Sequence, residues 1–260
     1  MKIKQAAVAG LFYPDDPDRL ALLVSQLLTD NPQYGSQPRA MIVPHAGLIY
    51  SGAIAARAYN RLRPYVNNIR RVVLMGPSHR VPLVSLATLS AERWRTPLGD
   101  INLDTAYRQQ LINTGLVSNH DSAHAQEHCL EVQLPFLQLI GLDRAALVPI
   151  VVGRVPARQV AAVIEYVLED PQTLLLVSSD LSHFHAYREA CRLDAETAQH
   201  IEALQADLRP DQACGCFAMN GLLLSAQQLG LRAEPLGHCN SGDTAGDKSR
   251  VVGYAAYAFC

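Results

Sequence analysis

Three short stretches of this chain are almost unbroken hydrophobes, and each leaves into a turn that carries histidine. Met41-Ile42-Val43 runs into Pro44-His45-Ala46-Gly47, and Val72-Val73-Leu74-Met75 into Gly76-Pro77-Ser78-His79. Leu174-Leu175-Leu176-Val177 runs into Ser178-Ser179-Asp180-Leu181-Ser182-His183. A strand with one wet face alternates apolar and polar residues, whereas a strand apolar at every position is covered on both faces. Further runs at 83–89, 147–152 and 251–259 have the same strand character. Helices separate them. Leu20, Leu23, Val24, Leu27 and Leu28 fall at i, i+3, i+4, i+7 and i+8, which predicts a helix over 18–29. Asp16 and Pro17 supply its cap and first turn. Val160, Val163, Ile164, Val167 and Leu168 repeat the pattern behind Pro156. Such alternation predicts an α/β fold, a three-layer α/β/α sandwich with a largely parallel or mixed central sheet. Residues 83–104 read as hairpin and loop, which favours the mixed form. With no internal repeat and no Gly/Ser or Pro linker, residues 1–260 are expected to form one domain.

Charge narrows the function. Lys and Arg total 22 against 24 Asp and Glu, a net charge of −2. No basic patch or stripe marks a nucleic-acid binder, and the 49% hydrophobic content excludes an acidic disordered chain. No apolar run approaches the roughly 20 residues that span a bilayer. The opening residues reach Tyr13-Pro14-Asp15-Asp16 before an apolar segment develops, a poor signal peptide, so the expected location is the cytoplasm. Six cysteines show no C-x-x-C spacing, and Cys214-Gly215-Cys216 is too tight for a zinc knuckle. Most are expected to be small buried hydrophobes.

In open α/β sheets the ligand crevice lies beyond the carboxyl ends of the strands. If the three buried strands are parallel neighbours, their turns deliver His45, His79, Asp180 and His183 to one edge. Imidazoles on separate rigid strand ends suit a transition metal. A Ser-His-Asp arrangement through Ser78 or Ser178 is the weaker alternative, since no G-x-S-x-G elbow is present. For a third ligand the best remaining candidate is Cys239, in the small polar loop 237–243; the competing reading is an inert buried thiol. His124, Glu127, His128 and Glu131 form a second cluster. On a helix, positions 124, 128 and 131 share a face, offering acid/base groups or support for the ligands; a solvated helix start is the plainer alternative. His120, His185, His200 and His238 carry no individual signal, and Trp94 reads as packing.

Taken in order, these segments resemble the Memo family, known in microbes as AmmeMemoRadiSam system protein B. The resemblance is carried by Ala9-Gly10-Leu11-Phe12-Tyr13-Pro14, Pro44-His45-Ala46-Gly47 with Tyr50-Ser51-Gly52, and Gly76-Pro77-Ser78-His79. Thr96-Pro97-Leu98-Gly99, Glu127-His128-Cys129-Leu130-Glu131, Ser178-Ser179-Asp180 with His183, and Ser249-Arg250-Val251-Val252-Gly253-Tyr254 continue it. It implies a fold like the catalytic subunit of class III extradiol dioxygenases, which are non-haem iron enzymes. It further implies His45, His79 and Cys239 as metal ligands, with Asp180 and His183 beside them; Asp180 and His183 are then expected to coordinate or move protons, and His128 of the second cluster is a nearby acid/base candidate. The implied cofactor is a transition metal ion, iron or copper, with zinc as the alternative. The implied function is a metal-dependent redox protein or oxidoreductase acting on a small molecule. A vestigial site that binds a peptide or protein, and a zinc hydrolase, are the competing readings. The family name also implies a functional link to a radical SAM enzyme and an AMMECR-type protein. Two departures stand out. A thiolate at Cys239 replaces the carboxylate of the dioxygenases, which favours copper or zinc and exposes the ligand to oxidation. Cys129 stands where the family usually has Ser.

Overall fold

The apolar runs are strands whose alternate side chains enter two different cores. The computed structural model of the protein describes residues 2–31 and 33–260. Its first half runs β1 (Ile3–Lys4), α1 (Pro17–Asp30), β2 (Ala40–Val43), α2 (Leu48–Leu62), β3 (Arg71–Pro77), β4 (Leu86–Thr88), β5 (Arg93–Thr96), β6 (Gly99–Asn102), α3 (Thr105–Asn113) and β7 (Val117–Asn119). Then follow α4 (Asp121–Ala125), α5 (Leu134–Leu139), β8 (Ala146–Val152), α6 (Ala157–Leu168), β9 (Thr173–Ser178), β10 (His183–His185), α7 (Tyr187–Glu202), α8 (Cys216–Leu229), β11 (Ala233–Asn240) and β12 (Val251–Phe259).

Met41, Val43, Val72, Leu74, Leu174 and Leu176 pack on one side of the sheet, against α1, α2 and α5. Ala40, Ile42, Val73, Met75, Leu175 and Val177 pack on the other, against α6 and α8. Two-sided burial is the physical reason these strands lack polar alternation, and it gives the expected three layers. The large sheet has the order β10-β12-β2-β9-β3-β8-β4-β7, with β11 on the other edge of β12. β2, β9, β3 and β8 are parallel, while β12 and β4 join antiparallel at either side, so the sheet is mixed. The segment 83–104 yields β4 and the β5–β6 hairpin, which forms a small second sheet with β1.

Helices α1 and α6 lie where the apolar periodicity puts them. The Asp16 carboxylate accepts the Arg19 N–H at 2.8 Å as the cap of α1, and α6 starts directly after Pro156. Three long helices have no such signal. In α2 the polar residues Asn60 and Arg61 are buried and break the stripe. They earn their place by bonding backbone: Asn60 Nδ2 donates to Leu28 O and Asn31 O, both at 2.6 Å, and Arg61 Nε donates to Ser36 O at 2.9 Å. α8 is buried almost all round from Cys216 to Ala226, which erases the period altogether. α7 has the opposite composition, burying only Ala190, Thr197 and Ile201.

Candidate metal centre

Because β9 lies between β2 and β3 and all three are parallel, their carboxyl ends open on one edge. Each delivers a functional side chain two residues beyond its end: His45 after Val43, His79 after Pro77, Asp180 after Ser178. A further arm comes from the segment between α4 and α5. Here the shared helical face expected for His124, His128 and Glu131 does not exist. α4 stops at Ala125, Gln126 leaves helical backbone at φ −116°, and a separate turn begins at Glu131. The residues therefore part company. His124 is buried against the sheet, its Nε2 2.9 Å from Ala87 O, and Glu131 faces the N-terminal segment. Glu127 and His128 alone turn to the strand ends.

One ring nitrogen from each of His45, His79 and His128 lies within 4.8 Å of the others. The ring centroids are 5.3 Å apart for His45–His79, 5.4 Å for His45–His128 and 4.7 Å for His79–His128. Glu127, fully buried, organises two of them. Its Oε1 accepts from His79 Nδ1 at 2.8 Å and from the backbone N–H of His128 and Cys129 at 3.0 and 3.2 Å. Its Oε2 accepts the His79 N–H at 2.6 Å. Burial pushes this carboxyl up, but the imidazoles of His128 and His79 outweigh it and hold Glu127 well below the usual carboxylate range. An ionised carboxylate only accepts, so His79 carries a proton on Nδ1, which leaves Nε2 as the atom free to ligate. His128 Nδ1 comes within 3.2 Å of the same oxygen, but without hydrogen-bond alignment, and is buried with no other partner.

His45 is set by a chain of neutral groups. Tyr59 donates its hydroxyl to Gln133 Oε1 at 2.8 Å, which fixes the amide. Gln133 Nε2 then donates to Pro44 O and to Ser178 Oγ, both at 2.9 Å. Ser178 spends its one proton on Cys129 O at 2.7 Å. Its oxygen, 3.0 Å from His45 Nδ1, must therefore accept from the ring, leaving the lone pair on Nε2. Burial, followed by the neighbouring imidazoles of His79 and His128, pulls the His45 pKa well down, so the ring is neutral. Three neutral or carboxylate-buttressed imidazoles are a donor set that fits zinc, copper, iron or nickel.

Asp180 Oδ1 accepts the His45 N–H at 2.7 Å. Burial pushes its carboxyl up to about 7, and the backbone N–H groups of His45 and Ala46 pull back only part of that rise. His183 holds Leu181 O through Nδ1 at 2.8 Å. With His128, both border a cavity of about 410 Å³ that also takes in Phe12, Tyr50 and Arg250. On the other side, His79 and Cys214 border a second cavity of about 640 Å³.

Cys239 is not brought to these imidazoles. It lies in β11 opposite Tyr254 and lines a separate cavity of about 400 Å³ beneath α7, with Cys191 and Asp194. Burial pushes its thiol up to about 11. The reason is register: the loop after β11 presents Ser241, two residues later, to the cavity beside His128. The sulfur that approaches is Cys214, 3.3 Å from His45 Nε2; burial pushes its thiol up. No spacing in the sequence flags it, because its only marked neighbour is Cys216, which is buried in the opposite core. Trp94 is buried packing beneath Lys4.

The N-terminal motif has a supporting role. Glu131 accepts from Ala7 N, Val8 N and the Tyr13 hydroxyl at 2.7–2.9 Å, and Lys4 lies 3.6 Å away. That anchor fixes the turn at 8–13 and lays the Phe12 ring 4.7 Å from the ring of His128.

A family model described as Memo-like protein matches residues 4–258. A MEMO1 family protein of Aquifex aeolicus is 34% identical over 270 residues, with all of both chains covered. Another, from Thermoplasma volcanium, is 33% identical over 270 residues, covering 99% of this chain and 98% of its own. Among solved structures, the uncharacterized protein JW3007 from Escherichia coli K12 superposes with a TM-score of 0.56 at 11% identity, covering 85% of this chain and 99% of its own, a likeness of fold. The chain belongs to the Memo-like protein family.

Proposed function

We propose that this protein holds a transition-metal ion between His45, His79 and His128 and carries out redox chemistry on a small molecule. The observation that supports it is the convergence of three imidazole nitrogens within 4.8 Å, with the outward Nδ1 of His79 and His45 committed to Glu127 and Ser178. Only His45 of the three is buried, so the cluster stays open to an ion and to a small molecule while its outward nitrogens are held. Iron or copper is the proposed metal; bound there, it would supply electron transfer. The chain's own groups do the rest. Asp180, poised near neutrality by burial, can take or give a proton in the cavity it shares with His128 and His183. Phe12 covers one side of His128 and limits water there.

A zinc hydrolase is the second reading, and one feature favours it: three converging imidazoles are the donor set of a catalytic zinc that activates water. The same experiment separates the two. Protein purified anaerobically is expected to carry near-stoichiometric iron or copper, lost in His45→Ala, His79→Ala and His128→Ala. Stoichiometric zinc with hydrolysis of model esters would favour the second reading, and metal content unchanged in all three variants would sink both.

A further inference from the structure

We infer that the larger cavity beside His79 is an anion-binding site for a small organic acid, a carboxylate or phosphate ester with a compact apolar body. The cavity, about 640 Å³, is formed by the segment 77–84 at and beyond the end of β3 and the turn Gly153-Arg154 after β8, closed by Cys214 just before α8 and Phe217 in its first turn. Two guanidiniums, Arg80 and Arg154, line it together with Ser78 and His79. No Asp or Glu is among its lining residues, in a chain whose overall charge is −2. Among the described residues neither guanidinium has a hydrogen bond or ion pair. Five of the other arginines, Arg61, Arg71, Arg95, Arg192 and Arg209, pair with carboxylates. Two planar cations left without carboxylates in one concave, acid-free site match the bidentate geometry that binds carboxylate or phosphate. The start of α8, a helix of 14 residues, adds the positive end of its dipole at the same wall. Val84 is 81% exposed on the rim and, with Phe217, offers apolar surface for the body of such a molecule.

The assignment as substrate site rests on the proposed metal centre, because His79 belongs both to this cavity and to the imidazole cluster. A molecule whose anionic end is held by Arg80 and Arg154 would direct its other end towards His79. The anion site itself stands without that reading, and the test keeps the two apart.

Metal-free protein, dialysed free of chelator, is titrated calorimetrically with phenylacetate, phenyl phosphate and the neutral 2-phenylethanol. At least one anion is expected to bind one-to-one, tenfold or more tighter than the alcohol, and to weaken as salt is raised. The tighter anion identifies carboxylate or phosphate as the natural group. The double variant Arg80→Gln/Arg154→Gln should lose tenfold or more of that affinity with an unchanged circular dichroism spectrum. Equal affinity for the alcohol, no binding of either anion, or an unaffected double variant would overturn the anion site. The same anion is then added to protein loaded with Co(II) or Cu(II). A shifted visible spectrum supports its place at the metal, whereas anion binding that leaves the spectrum unmoved overturns the substrate assignment. Failure to load any metal would count against the proposed function alone.

Discussion

Oε1 of Glu127 lies 2.8 Å from Nδ1 of His79, and the same carboxylate accepts three backbone N–H groups besides. A glutamine there would keep the shape but bring two donors to a place where every neighbour also donates. Glu127→Gln is therefore expected to lower metal affinity about 10- to 100-fold and to cost about 1–3 kcal/mol of stability. Chelator competition and urea unfolding measure the two. An affinity equal to that of the parent protein would remove Glu127 from the account of the site.

The Ser178 hydroxyl makes a different kind of prediction, because it acts through a proton position. Ser178→Ala removes the acceptor of the His45 Nδ1 proton, leaves Gln133 Nε2 with Pro44 O as its one remaining acceptor, and takes the donor from Cys129 O. Nitrogen-15 NMR of the metal-free parent should report the Nδ1–H form of His45. The variant should show a mixture of tautomers, with metal affinity reduced several-fold. An Nε2–H tautomer in the parent would contradict the hydrogen-bond chain from Tyr59.

Much of this arrangement was legible before any coordinates. Apolar runs without alternation announced strands covered on both faces, and their turns placed His45, His79, Asp180 and His183 at one sheet edge. What the residues alone could not supply was register across loops. Cys239 and Ser241 are two positions apart, one in β11 and one just beyond it, and only the pairing of β11 with β12 decides which one meets the cavity. His128 was visible as a titratable group, but its spacing from His124 suggested a helix that ends at Ala125. Cys214 was invisible because its partner, His45, is distant in sequence and joined to it only through the fold.

Asp180 predicts how stability depends on pH. Its folded pKa is raised from 3.8 to about 7, so between those values the folded protein binds more protons than the unfolded chain. Stability from this group is full below pH about 4 and is lost as pH rises to about 7. The neutral, buried His45 and His124 pull the opposite way, since their pKa values are lowered. The informative quantity is thus the difference between parent and Asp180→Asn, which keeps an acceptor for the His45 N–H. The variant should gain stability relative to the parent as pH rises from 4 to 7, then run parallel above. Parallel unfolding free energies across the whole range would place the ionisation elsewhere.

Gly76 tests whether the histidine arm depends on packing from below. It lies in β3, where an added Cβ would come 2.7 Å from Cys129 Sγ and 2.8 Å from Leu130 Cδ2. Both side chains are fully buried, so neither has room to withdraw without moving the backbone that carries His128. Gly76→Ala is expected to cost about 1–3 kcal/mol as an overpacked core and to weaken metal binding, although no ligand is altered. Shrinking the obstructing thiol gives the counter-test. In Gly76→Ala/Cys129→Ala the sulfur contact disappears while the Leu130 contact remains, so stability and metal affinity should both recover in part. Recovery of stability without affinity would mean that the position of His128 is set by Glu127 and Phe12 rather than by the strand beneath it.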